Sequence, residues 1–299
     1  MFSVTLIATP AEKALSQSTV DALARELDAQ ELRWLEAGVA CRLIVDSGQW
    51  TVGSLRSHLS SVIRHPSSDV FIQPHPLPRY RLFVADMEST IIENECLDEL
   101  ADYVGLREKI EAITARAMNG ELDFAQALAE RVGLLSGLPT SALQEVYDQR
   151  VRLMPGAEAL MAALKAAGIR TMLVSGGFSF YTQRIQARLG FDEERSNQLE
   201  IKNPHPAPLP QAGEGILSGR VLPPILDKNA KRAALLEGCD RLGISPAEAI
   251  AIGDGANDVP MLLAAGLGVA YRAKPNVRKQ VQNQINHGDL RTLIWALRE

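Results

Sequence analysis

The sequence predicts an α/β domain with a doubly wound, mainly parallel sheet and an inserted helical cap, preceded by a smaller βαββαβ α+β domain. Three observations carry this. Leu82-Phe83-Val84-Ala85 ends abruptly in Asp86-Met87-Glu88-Ser89-Thr90, and Ala249-Ile250-Ala251-Ile252 runs into Gly253-Asp254-Gly255-Ala256-Asn257-Asp258. A third apolar run, Thr171-Met172-Leu173-Val174, ends in Ser175-Gly176-Gly177. Short continuous apolar runs mark strands buried on both faces, and open α/β sheets bind their ligands at the carboxyl ends of such strands.

The first quarter reads strand over 3–8, helix over 18–27, strands over 31–37 and 39–45, helix over 52–63 and strand over 69–73. That order can fold alone as helices on one face of a four-stranded antiparallel sheet, which gives a first domain over 1–76 and a second over 77–299. Pro74, Pro76 and Pro78 sit where an extended linker belongs. After Thr90 the apolar spacing turns helical, through 98–101, 108–118, 124–133 and, behind Pro139, 141–151. We read about 93–152 as a helical cap inserted after the first core strand. Met154-Pro155-Gly156 then leads into a helix over 157–167, and strand and helix alternate to the end. The stretch at about 203–215 is rich in alternating proline, favours polyproline II and reads as a surface insertion.

Composition narrows the function. Among 299 residues, 31 Lys and Arg against 36 Asp and Glu give a net charge of −5, with no dense basic run to meet nucleic acid or an anionic membrane. An anionic substrate must therefore be met by local cations. Cys41, Cys96 and Cys239 are widely spaced and odd in number, forming neither a disulfide framework nor a metal cluster. The start of the chain lacks the basic head and apolar core of a signal peptide, and no run approaches a membrane span; the chain reads as cytoplasmic.

Two carboxylates alternating along a strand end, Asp86 and Glu88, allow one to act as nucleophile and the other as proton donor. Ser175 and the glycine-flanked amides after it are placed to hold phosphate oxygens, and Lys231 could neutralise them. Each feature taken singly has a plainer reading. Asp86 to Thr90 also reads as a helix N-cap, Ser175-Gly176-Gly177 as an ordinary turn, and Lys231 and Arg131 as surface charges.

Together and in this order, the features resemble the haloacid dehalogenase (HAD) superfamily, and more closely its phosphoserine phosphatases. The likeness extends from Asp86-Met87-Glu88-Ser89-Thr90 through Glu95, Leu97-Asp98-Glu99-Leu100-Ala101, Met118-Asn119-Gly120, Leu122-Asp123-Phe124, Arg131-Val132-Gly133-Leu134-Leu135 and Ser218-Gly219-Arg220-Val221. It covers about residues 80 to 299. The first domain resembles an ACT domain of ferredoxin-like fold, but Thr9-Pro10-Ala11-Glu12 lacks the Gly and Asp signature expected where such modules bind an amino acid. A structural or dimerising role is the better expectation, which allows a homodimer.

The resemblance implies hydrolysis of O-phospho-L-serine to L-serine and phosphate, the last step of L-serine biosynthesis, through an aspartyl phosphate on Asp86. It implies Mg²⁺ held by Asp86, Asp254 and the backbone carbonyl of Glu88, with Asp258 acting through a metal-bound water. Glu88 would be the general acid and base, although most relatives have aspartate there. Ser175, Gly176 and Lys231 would hold the phosphoryl oxygens and Asn257 would orient the site. Glu95 would meet the substrate ammonium, Arg131 its carboxylate, and Met118 and Phe124 would close over it. Three other readings stay open: a different phosphatase of the superfamily, a silent binding protein, and a regulatory module dominated by the first domain.

Overall fold

The computed structural model describes residues 1–9, 15–62, 68–118, 121–202 and 215–298. In the first domain, β1 (Phe2–Ala8), β2 (Glu31–Glu36), β3 (Ala40–Val45) and β4 (Ser68–Pro74) form an antiparallel sheet in the order β2-β3-β1-β4, with α1 (Gln17–Glu26) and α2 (Val52–Val62) as connections. The Ser16 hydroxyl starts α1 by accepting from the Thr19 N–H. Val4, Leu6, Leu43 and Val45 meet Val20, Leu23, Leu55 and Leu59 of the helices in one core. Element order and type match the sequence expectation to within a residue or two.

The other face of this sheet packs against the second domain along β1, β3 and β4, while Glu31 and Arg33 of β2 stay exposed. Every residue of β3 is buried, and Ile7, Phe71, Val39 and Ala40 belong to the core of the second domain. Arg42 projects from that face. Its Nε donates to Thr5 Oγ1, and its guanidinium donates to the carbonyls of Arg298 (2.6 Å) and Ala296 (3.2 Å) at the end of α12 (Arg291–Leu297), where a cation meets the helix dipole. Pro74 and Pro76 of the linker are exposed, but the linker is anchored at both ends: Tyr80 is buried and donates to Gln73, whose amide donates to the Ala296 carbonyl. The loop 10–12 and nearly all of the proline-rich insertion lie outside the described residues.

The second domain begins with β5 (Leu82–Ala85) and then α3 (Cys96–Tyr103), α4 (Arg107–Met118), α5 (Phe124–Gly133) and α6 (Ser141–Arg150), the four cap helices. The segments entering and leaving them are joined by the isolated antiparallel bridge Ile92↔Leu153. The chain continues through α7 (Ala157–Ala166), β6 (Arg170–Phe178), α8 (Ser179–Leu189), β7 (Glu193–Lys202), β8 (Ile216–Leu222), α9 (Lys228–Leu242), β9 (Ala249–Gly253), α10 (Val259–Ala264), β10 (Leu267–Tyr271), α11 (Pro275–Arg278) and β11 (Asn283–Ile285), ending with α12. The sheet order is β11-β10-β9-β5-β6-β7-β8, parallel except where β7 meets β8.

Alternate residues of the central strands feed opposite cores, Phe83, Ala85, Ile250 and Ile252 on one side and Leu82, Val84, Ala249 and Ala251 on the other. This explains the unbroken apolar runs, because both faces are covered. β5 sits between β6 and β9, so the strand order reverses about it. A crevice opens at that switch point, at the carboxyl ends of the strands that carry Asp86, Ser175 and Asp254.

Candidate active site

The end of β5 is fixed to β9 by the Asp86 N–H, which donates to the Ile252 carbonyl at 3.0 Å. The chain then turns sharply, with Ser89 at φ 54°, the left-handed region that a non-glycine residue occupies at a cost. Thr90 is buried, and its hydroxyl lies 3.5 Å from Asp254 Oδ1. On the neighbouring strand end the carboxylate of Asp258 is fully buried and accepts from the Gly255 N–H. A methyl group at Gly253 would strike that side chain, which is why glycine stands there.

Lys231, in the first turn of α9 behind the N-cap Asp227, is 1% exposed. Its Nζ lies 2.7 Å from Oδ1 of Asp86 and 2.7 Å from Oδ1 of Asp258. Carboxylate oxygens of Asp86, Asp254 and Asp258 fall within 4.8 Å of one another. Burial works against the Lys231 ammonium, but the Asp86 and Asp258 charges outweigh it and hold the lysine protonated. Burial, with Asp258 adding repulsion, pushes the Asp86 carboxyl well above its usual range, and burial pushes Asp254 up to about 6. One ammonium against three carboxylates leaves surplus negative charge, and an all-oxygen donor set of this kind suits a hard divalent cation.

Glu88 faces the same crevice. Its Oε1 accepts from the Cys96 N–H, the first amide of α3, at 2.7 Å, and burial followed by the Glu95 charge pushes its carboxyl up to about 7. Asp86, Glu88, Lys231 and Asp254 from the core, and Glu95 and Arg131 from the cap, line one cavity of about 460 Å³. Asn257 and Gly176 also line it, and the Phe124 ring lies over Gly176 at contact distance from where a Cβ would be. Glu95 accepts from the Ser89 hydroxyl at 2.8 Å, and Arg131 Nε donates to the Ala127 carbonyl one turn back. Ser175 is fully buried behind the wall rather than on it, with its Oγ accepting from the Gly177 N–H at 2.9 Å. The Met118 side chain lies outside the described residues.

Sequence reasoning missed several residues here. Lys274, at the N-cap of α11, lines the cavity together with Asp98 of α3. Buried Asn197 donates to the Gly176 carbonyl (2.8 Å) and accepts from the Leu226 N–H (2.7 Å), holding the end of β6 to the approach to α9. No local signal marks an Asn in β7 for that task. The three cysteines are buried free thiols, and no helix among the described residues is long and apolar enough to cross a membrane.

A buried aspartate at a switch point, a buried lysine against it and a helical cap lining the cavity are the features of a class of hydrolase. The haloacid dehalogenase-like hydrolase family matches this chain over residues 80–266. A phosphoserine phosphatase from Polaromonas sp. is 47% identical over 223 residues, 73% of this chain and 90% of that one. The structure is similar to a HAD-family hydrolase from Salmonella enterica serovar Typhi (32% identity, TM-score 0.85, 100% of this chain and 99% of that one). It is also similar to a probable phosphoserine phosphatase from Vibrio cholerae (29% identity, TM-score 0.77, 99% and 86%). The chain belongs to the phosphoserine phosphatase family of haloacid dehalogenase-like hydrolases. Both structural likenesses extend over the first domain as well.

Proposed function

We propose that the chain hydrolyses O-phospho-L-serine to L-serine and phosphate through an aspartyl phosphate on Asp86, with Mg²⁺ as cofactor. The observation that carries this is the division of one cavity: core residues able to transfer a phosphoryl group form its floor, and an acid and a base of the cap, Glu95 and Arg131, form its roof. A zwitterionic amino acid needs such a pair, one charge for its ammonium and one for its carboxylate.

Asp86 attacks phosphorus as the bond from phosphorus to the serine oxygen breaks, and Glu88 gives that oxygen its proton. Water then attacks the aspartyl phosphate and its proton passes to Glu88, which restores both carboxyl groups. A carboxyl at about 7 is suited to both tasks at neutral pH. Lys231 sits against Asp86 and offsets the repulsion between nucleophile and phosphate, while the Gly176 amide on the cavity wall takes a phosphoryl oxygen; Ser175, expected to share that task, lies behind the wall and holds the Gly177 N–H instead. Asp86, Asp254 and the Glu88 carbonyl would hold Mg²⁺, with Asp258 behind them. The ion supplies positive charge that draws phosphate and carboxylate together. Phe124 shields the cavity from bulk water. The test is phosphate release from L-phosphoserine with and without Mg²⁺; no release with Mg²⁺ present overturns the reading.

A further inference from the structure

The proton donor of this chain is a glutamate where its family leads one to expect aspartate, and the extra methylene has to go somewhere. The structure shows where. The Glu88 Oε1 is held by the Cys96 N–H, while Oε2 lies against Gly177 in β6. A Cβ at position 177 would stand 2.8 Å from Oε2 and 3.1 Å from Cδ of Glu88. Nothing in the backbone demands glycine, since Gly177 is absent from the positive-φ positions among the described residues. The space itself is what the glycine provides.

We infer that Gly177 is a positioning residue for the proton donor: its bare Cα, opposite the first amide of α3, forms the slot that lets a glutamate at 88 do the work of an aspartate. This deepens the function proposed above and rests on it. The carboxylate is held from two sides, by the core through the missing side chain and by the cap through Cys96. Cys96 directly follows Glu95, so the segment that would meet the substrate ammonium also fixes the proton donor. The atoms nearest to a methyl group at 177 are the far end of the flexible Glu88 side chain and the Ser175 hydroxyl at 3.1 Å. It should therefore displace the carboxylate rather than unfold the strand.

The experiment is a double-mutant cycle on Gly177→Ala and Glu88→Asp, with kcat, KM and Tm measured for L-phosphoserine in the presence of Mg²⁺. G177A should lower kcat by roughly 10- to 100-fold, the range for misplacing a general acid, with KM within about threefold and Tm nearly unchanged. In the E88D background, where the shorter carboxyl leaves the slot, the same methyl should cost less than about threefold. An equal kcat loss in both backgrounds, or none in the glutamate enzyme, overturns the inference. If G177A alone lowers Tm, E88A/G177A must recover the Tm of E88A; failure to do so assigns the clash to Ser175 and also overturns it. A wild-type enzyme inactive on L-phosphoserine would instead sink the proposed function, so the two failures are distinguishable.

Discussion

Lys231 Nζ lies 2.7 Å from Asp86 Oδ1 with both groups almost wholly buried, which joins the start of α9 to the end of β5 at the floor of the cavity. A buried ion pair of this kind is poor value for stability, because desolvation offsets most of the attraction. Its retention fits a functional role. Asp86→Asn should therefore abolish turnover while the protein stays folded, because it removes the nucleophile and one of the carboxylates facing the lysine. Phosphate release within tenfold of wild type would sink the mechanism.

The Glu88 carboxyl, raised to about 7, gives opposite pH signs to the two half-reactions. Its protonated form, dominant below about 7, is needed when the serine oxygen leaves; its ionised form, dominant above, is needed when water attacks. Formation of the aspartyl phosphate should slow as pH rises through about 7, and its hydrolysis should slow as pH falls through the same value. Rapid-quench measurement of each step checks this, and pH-independent rates across neutrality would contradict it.

If Arg131 grips the substrate carboxylate and Glu95 its ammonium, phosphoethanolamine and 3-phospholactate should each be poor substrates. Leaving one buried charge unpaired costs roughly 2 to 5 kcal/mol, or about thirty-fold to several thousand-fold in kcat/KM. Arg131→Ala should erase the preference for L-phosphoserine over phosphoethanolamine and spare small unspecific phosphate esters. Equal efficiency of the wild type on phosphoserine and phosphoethanolamine would remove the clamp assignment.

Asp69, 3% exposed in β4, accepts from the N–H groups of Asn286, His287 and Gly288 at 2.7 to 3.2 Å, tying the first domain to the loop after β11. Asp69→Ala orphans these donors and should destabilise the whole chain by about 2 to 4 kcal/mol. A fall in denaturation midpoint without loss of kcat in the folded enzyme is the expected result. An unchanged midpoint would mean the two domains are held together by other contacts.

Lys202 and Ile216 face each other across the β7–β8 hairpin, so residues 204–213 connect strands that are already adjacent. Gly215 is different, since its carbonyl accepts from the Thr140 N–H of the cap at 2.8 Å. Deleting 204–213 while keeping Gly215 should leave kcat and Tm nearly unchanged. A large loss of either would show that the insertion packs or gates the site.

The sequence alone determined the strands, the helices and the acids at their ends, because burial on both faces writes an apolar run and the turn into the crevice writes glycine and aspartate directly after it. Those signals are local. Lys231 was different: read by itself it is a surface lysine, and only the packing of α9 against β5 and β6 makes it 1% exposed between two carboxylates. Lys274 and Asn197 gave no signal, because their places in the site come from where α11 and β7 fall in the sheet. The first domain read as free to fold alone, yet Arg42 and Asp69 bind backbone of the second domain. The slot over Gly177 is of the same kind. Two residues far apart in the chain meet only when β6 lies beside β5, and sheet order is decided by the packing of the whole chain, not by any segment of it.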